Sequence, residues 1–365
     1  MRRWLFLAAA LLLTACSAAG QIEGQAFAVA LGVDAGADGG VVLSARYPSY
    51  GANGEDEKSG YLLTSAAGPD LAAALFALNA SIPRALNLTQ VKSLVVSEEV
   101  ASSDAFYGLL RELMLSRLDG ETYLIVSRGE ARSLMEAQQP LIGLRLSDTL
   151  VTEIERYRRL GSVPESSLKR VFYAAASVYS DPVAIMAAAR PEGAGLEGSF
   201  SAWEAGAGEL SYEGEDRDQY FGAALFRGGV MVASLGGGET QLLQLLRGGA
   251  GQMPMPLGEG WLTVSRRGGP WVKVDWAADR MEVALEVGVE DLSGDADEGA
   301  VARALEESLA ALTRKCQALD LEPFGYAQAA AAGYLTLSEW TAADWRTWFS
   351  RAEVTYRVRV ETINR

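Results

Sequence analysis

Near the C-terminus, apolar and polar residues alternate with period two, the pattern of strands that keep one face in water. Val272, Val274 and Trp276 alternate with Lys273 and Asp275, and Met281, Val283, Leu285, Val287 and Val289 alternate with Glu282, Ala284, Glu286 and Gly288. The two runs flank residues 277–280 and predict an antiparallel hairpin. Val354, Tyr356, Val358 and Val360, alternating with Thr355, Arg357, Arg359 and Glu361, predict a terminal strand. Between them the period changes. Val301, Leu305, Leu309, Leu312, Cys316 and Leu319 recur every three or four residues and predict a helix over 298–319.

The first half reads less regularly. Residues 27–34 (FAVALGVD) and 41–47 (VVLSARY) predict two strands joined by a Gly/Asp-rich turn at 35–40, and the polar stretch 49–60 predicts a loop. Asp70 stands as N-cap before Leu71, Leu75 and Leu78 on one helix face. Further strands are predicted at 93–96 and 123–127, with helices at 103–115 and 130–136. A glycine- and acid-rich texture over 193–218 gives way to two short strands in 223–235, then Gly236-Gly237-Gly238 and a helix at 239–246. The expected fold is α+β: three mixed α/β domains with largely antiparallel sheets, at 26–192, 193–258 and 259–365.

Residues 1–16 (MRRWLFLAAALLLTAC) have the form of an export signal. Arg2 and Arg3 precede an apolar run too short for the ~20 residues that span a bilayer. Leu13-Thr14-Ala15-Cys16 looks like a bacterial lipobox, with a small residue before the cut and a thiol after it. The expectation is a signal peptide over 1–15, a lipidated Cys16, and a tether over 16–25. Two acyl chains on one cysteine suffice for stable anchoring.

Composition narrows the chemistry. The chain of 365 residues has no histidine and two cysteines, so Ser-His-Asp and Cys-His nucleophile systems, imidazole bases and cysteine-rich zinc clusters are excluded. A net charge of -15 argues against nucleic acid as a partner. No cofactor is expected, and the chain is not read as an enzyme.

The remaining candidates have plainer readings beside the chemical ones. Cys316 lies on the apolar stripe of its helix and reads as core. Gly236-Gly237-Gly238 is placed like a phosphate loop but lacks the following Lys-Ser/Thr, so it reads as a turn. Asp34 and Asp38 lack the full spacing of a calcium loop. Glu98-Glu99 reads as a helix start, and the sequons at Asn79 and Asn87 are short enough to arise by chance. Trp340, Trp345 and Trp348 offer a partner surface or ligand groove, or, as the favoured reading, packing of a short helix on the C-terminal sheet.

Several segments, in order, resemble the Ger(x)C lipoproteins, the C subunits of nutrient germinant receptors in spore-forming bacteria. They are the lipobox, FAVALGVD (27–34), LTQVKSLVVSEEVA (88–101), LSRLDGETYLIVSRGEARSLM (115–135), FGAALFRGGVMVASLGGGET (221–240) and EPFGYA (322–327). The last is similar to an Asp-x-Phe-Gly-Phe-Gly signature, with Glu322, Tyr326 and Ala327 as departures. The resemblance implies a three-domain lipoprotein on the outer face of the spore inner membrane. It implies assembly with integral-membrane A and B subunits in nutrient-triggered germination. The alternatives are a lipoprotein solute-binding component of a transporter and a carboxylate-based extracytoplasmic hydrolase.

Overall fold

The computed structural model describes residues 24–49, 60–115, 118–139, 146–193, 195–196, 203–249, 251–257, 260–290 and 297–363. The signal peptide, Cys16, the tether up to residue 23 and most of the 49–60 loop therefore lie outside the described residues.

The larger sheet is built from β2 (Ala30–Ala35), β3 (Val41–Pro48), β4 (Tyr61–Gly68), β6 (Ser93–Ser97), β7 (Tyr123–Ser127), β8 (Val183–Ala189), β9 (Asp218–Arg227) and β10 (Val230–Leu235). Their order is β10-β9-β8-β7-β6-β2-β3-β4. The four central strands β8, β7, β6 and β2 run parallel, while β3 and β4 on one side and β9 and β10 on the other are antiparallel. The expectation of largely antiparallel sheets holds for the flanking strands and is corrected at the parallel centre. SLVVS and YLIVS are apolar without alternation because helices cover both faces of the sheet centre.

On one face lie α1 (Leu71–Ser81), α2 (Glu98–Ala101), α3 (Phe106–Leu115) and α6 (Leu168–Ala175). On the other lie α4 (Ala131–Ala137) and α5 (Leu146–Arg159). Asp70 caps α1 by accepting the Ala73 N–H at 2.8 Å. The expected first strand divides: Gln25–Phe27 forms β1, which pairs in parallel with β5 (Ala85–Asn87), and β2 follows in the main sheet. The described strands of 193–258 join the two larger sheets, β9 and β10 the first and Gln252–Leu257 the second, rather than forming one of their own. Most of β9 is buried, so it needs cover on both sides, and it pairs with β8 (Val183 opposite Leu225).

The second sheet has the order β11-β12-β13-β14, from β11 (Gln252–Leu257), β12 (Gly260–Asp275), β13 (Arg280–Glu290) and β14 (Glu353–Thr362). The predicted hairpin is present, with Val274 opposite Met281. β14 joins β13 in parallel after the crossover through α8 (Glu298–Ala318), which seats Val301, Leu305, Leu309, Leu312 and Cys316 on the sheet's apolar face. The helix α7 (Gly237–Arg247) links the two sheets, because Leu243 and Leu246 share one core with Val183 and Leu225 of the first and Val283 and Leu285 of the second.

Candidate functional site

The three tryptophans come from two short helices after α9 (Tyr326–Ala331). Trp340 lies on α10 (Leu337–Ala342), whose start is fixed by a capping box between Thr336 and Glu339. Trp345 and Trp348 lie on α11 (Trp345–Arg351). All three are buried and surround Trp276, with ring centroids 6.4, 5.8 and 4.8 Å from it. The ring faces offered by sequence as a partner surface are thus occupied by one another. Aromatic rings in reach of each other bury more area this way than any would in water.

What stays open is one edge of the cluster. Trp340, Trp345 and Phe349 wall a cavity of about 220 Å³ whose rim carries Tyr179, Asp181 and Arg346. Tyr179 stacks on Trp340 at 5.9 Å, and the Trp340 indole N–H reaches the Val178 carbonyl at 3.4 Å. The cavity therefore lies where the chain entering β8 meets the C-terminal helices.

Charge fixes this junction. The Asp181 side chain is only 3% exposed; Arg346 donates to its Oδ1 at 2.7 Å. Its Oδ2 accepts the Glu322 N–H at 2.7 Å, and the Asp181 N–H returns a bond to the Glu322 carbonyl at 2.9 Å. Arg346 also donates to the Asp320 carbonyl at 2.7 Å. Glu322 is buried, and its chain wraps around its own carboxylate. Oε1 accepts from the backbone of Phe324 (3.1 Å), Gly325 (2.8 Å) and Tyr326 (3.0 Å), and Oε2 from Ala327 (3.4 Å). Gly325 sits at φ 85°, a conformation open to glycine, which lets the loop close on that oxygen. Burial pushes the Glu322 carboxyl up to about 8 against the pull of these donors. The Tyr326 hydroxyl, absent from a phenylalanine, meets the Tyr356 hydroxyl at 2.8 Å, which in turn meets Thr313 Oγ1 at 2.5 Å.

Other sequence candidates resolve into structural roles. Asp34 is buried at the end of β2 and accepts the Ala131 and Arg132 N–H groups at 2.6 and 3.0 Å, anchoring the start of α4. This one contact joins FAVALGVD to the SRGEARSLM segment. Glu98 and Glu99 open α2, where Ser97 caps Val100. Asn79 accepts the Leu86 N–H and Asn87 the Thr89 N–H. The triple glycine is a close-approach site: the N–H groups of Gly237 and Gly238 bond to the Ala205 and Trp203 carbonyls, and a Cβ on Gly238 would lie 2.3 Å from the Trp203 ring. Cys316 is fully buried, and burial raises its thiol to about 12, so it is not a nucleophile. Among the described residues no three acidic or thiol side chains converge as a metal set.

A second acidic group was not legible in the sequence. Burial and the neighbouring carboxylates Asp216 and Glu153 push Asp218 well above the usual carboxylate range, and Glu153 is itself raised to about 7. It lies near Tyr220, which accepts from Gln138 at 2.6 Å, on the α5 side of the large sheet.

Two family models match in sequence order. "Spore germination protein N-terminal domain" matches residues 19–188, and "Spore germination B3/ GerAC like, C-terminal" matches residues 221–365. Among solved structures, "Crystal Structure of the GerBC protein" is similar in fold, with a TM-score of 0.52 at 13% identity, covering 92% of this chain and 97% of that one. None of the curated proteins compared matches the sequence. With the two models running consecutively over most of its length, the chain belongs to the Ger(x)C family of spore germination proteins.

Proposed function

We propose that this protein is the lipid-anchored C subunit of a nutrient germinant receptor, held on the outer face of the spore inner membrane by Cys16. The observation that carries the reading is the match of both halves to germination-protein models behind a lipobox at residues 13–16. No helix among the described residues is long and apolar enough to cross a membrane, so a membrane role falls to the anchor. Its work is contact with integral-membrane A and B subunits rather than covalent chemistry. The test is co-purification from detergent-solubilised spore membranes. The A and B subunits should accompany the wild-type chain, and Cys16→Ala should leave the membrane fraction. Recovery of the wild-type chain without either subunit, together with normal germination of spores that lack the chain and carry no redundant receptor, would refute the assignment.

The cavity beside Trp340 and Arg346 gives the alternative, a solute-binding component of a transporter, a definite place to be tested. Thermal stabilisation of the purified chain by a single amino acid or sugar, lost on Arg346→Ala, would favour it over the subunit reading.

A further inference from the structure

The outer face of α1 carries no charge and is apolar up to Asn79 and Ser81 at its C-terminal end. Between Asp70 and Arg84 the sequence LAAALFALNASIP contains no charged residue, in a chain of net charge -15. Leu71, Ala74 and Leu78 face the core, which turns Ala72, Phe76 and Ala80 outward. Phe76 is 76% exposed, and Leu62 of β4 is 50% exposed. Ala66 packs in the core beneath α1, so Leu62, four residues earlier in the strand, stands on that same sheet face. Between α1 and β5 runs a groove of about 600 Å³ whose apolar wall includes Leu75, Phe76 and Leu86, whose polar side chains are the amides of Gln25, Asn79 and Asn87, and which is lined by no charged side chain. Exposed apolar surface of this kind marks a contact site.

The chain's own path says what covers it. Gln25, in the groove wall, is nine residues after Cys16. At ~3.3–3.6 Å per residue, that segment holds the groove within about 30 Å of the anchored acyl chains. Anchoring also keeps the local concentration of bilayer high, so a weak contact suffices to orient the body. A groove lined by no cation, with Arg84 only at its flank, does not need anionic headgroups, and the acidic body would be repelled by them.

We infer that the α1–β5 face rests on the bilayer, with Phe76 at the boundary between headgroups and acyl chains of zwitterionic lipid. The inference relies on the anchor reading of Cys16. It orients the protein with β1, β5 and α1 toward the membrane and the tryptophan-rich C-terminal helices away from it.

The test couples the chain from Cys16 onward, which retains every described residue, to maleimide-lipid in phosphatidylcholine vesicles. Coupling goes to Cys16 because Cys316 is fully buried. Phe76→Trp and, one turn earlier, Ala72→Trp report on the face; Leu335→Trp, at a site 95% exposed in the C-terminal region, is the control. With bromine-labelled acyl chains, the emission added by the reporter at position 76 or 72 should fall at least two-fold, and that added at position 335 should not change. Unquenched reporters on α1, or quenching at 335 instead, would overturn the proposal. So would shielding of α1 that appears only when A and B subunits are co-reconstituted, which would make the face a protein contact. Because the coupling is chemical, these outcomes are independent of whether Cys16 is lipidated in the cell, which the Cys16→Ala fractionation tests by itself.

Discussion

Asp181→Ala should loosen the junction between the two sheets. The carboxylate removed is 3% exposed and holds two partners, Arg346 at 2.7 Å and the Glu322 N–H at 2.7 Å. Removing the acceptor orphans a buried N–H, which costs about 1–3 kcal/mol. The lost ion pair adds only about 1 kcal/mol, because Arg346 is 44% exposed and can be solvated again. The predicted loss is about 3 kcal/mol in urea unfolding, read as a lower midpoint at unchanged slope. Asp181→Asn keeps an oxygen for the Glu322 N–H and should lose only about 1 kcal/mol. A double-mutant cycle of Asp181→Ala with Arg346→Ala should give a coupling of about 1 kcal/mol. Exchange of the Glu322 amide hydrogen should accelerate in Asp181→Ala and less so in Asp181→Asn. If Ala and Asn variants lose equal stability, or neither loses as much as 1 kcal/mol, the buried N–H bond is not what holds this junction.

Three further outcomes rest on other contacts and buried groups of the fold. Glu322 and Glu153 have folded-state values of about 8 and 7, and Asp218 shifts in the same direction. Groups raised in this way contribute stability below their unfolded values, near pH 4, and lose it as pH rises through 7–8. The melting temperature should therefore fall between pH 5 and 8.5, with a shallower fall in Glu322→Gln; a rise over that range would contradict the assignment. Gly238→Ala drives a methyl into the Trp203 ring and should cost about 1–3 kcal/mol, measured by thermal unfolding, with no loss meaning that Trp203 moves freely. Asp34→Ala leaves the first N–H groups of α4 without their acceptor and should cost about 1–3 kcal/mol, with faster amide exchange at Ala131 and Arg132; unchanged exchange at these two amides would remove Asp34 from that role.

The parts of the fold legible in sequence are those with one wet face. The β12–β13 hairpin, β14 and α8 alternate between core and solvent, and their periods show it. The centre of the large sheet offers no such contrast. β8 (VAIMAAA) is buried almost throughout, so no alternation marks it as a strand. β4 is equally unmarked, whereas α5 and α6 do carry a signal, with Leu146, Leu150 and Ile154 at steps of four and Leu168 and Val171 at a step of three. The junction could not be read locally, since Asp181 meets partners 141 and 165 positions away. Its trace in the sequence is EPFGYA, where an acid stands three residues before the glycine that caps a helix. The tryptophans are visible as a cluster, but only Trp276, contributed by the hairpin, shows why they point inward.

The large sheet also changes what a fragment of this protein would be. The C-terminal family match begins at residue 221, inside β9, and β9 is hydrogen-bonded to β8 from the N-terminal match. In space, the second half donates a hairpin that closes the edge of the first half's sheet. A chain stopped near residue 190 would end with β8 as a bare, apolar edge, a template for pairing with other copies. The donor half alone would keep the β9–β10 pairing but leave the β8-facing edge of β9 bare. Expression of either half should yield aggregates where the whole chain yields a monodisperse protein, and the sequence boundary between the halves is a poor place to cut.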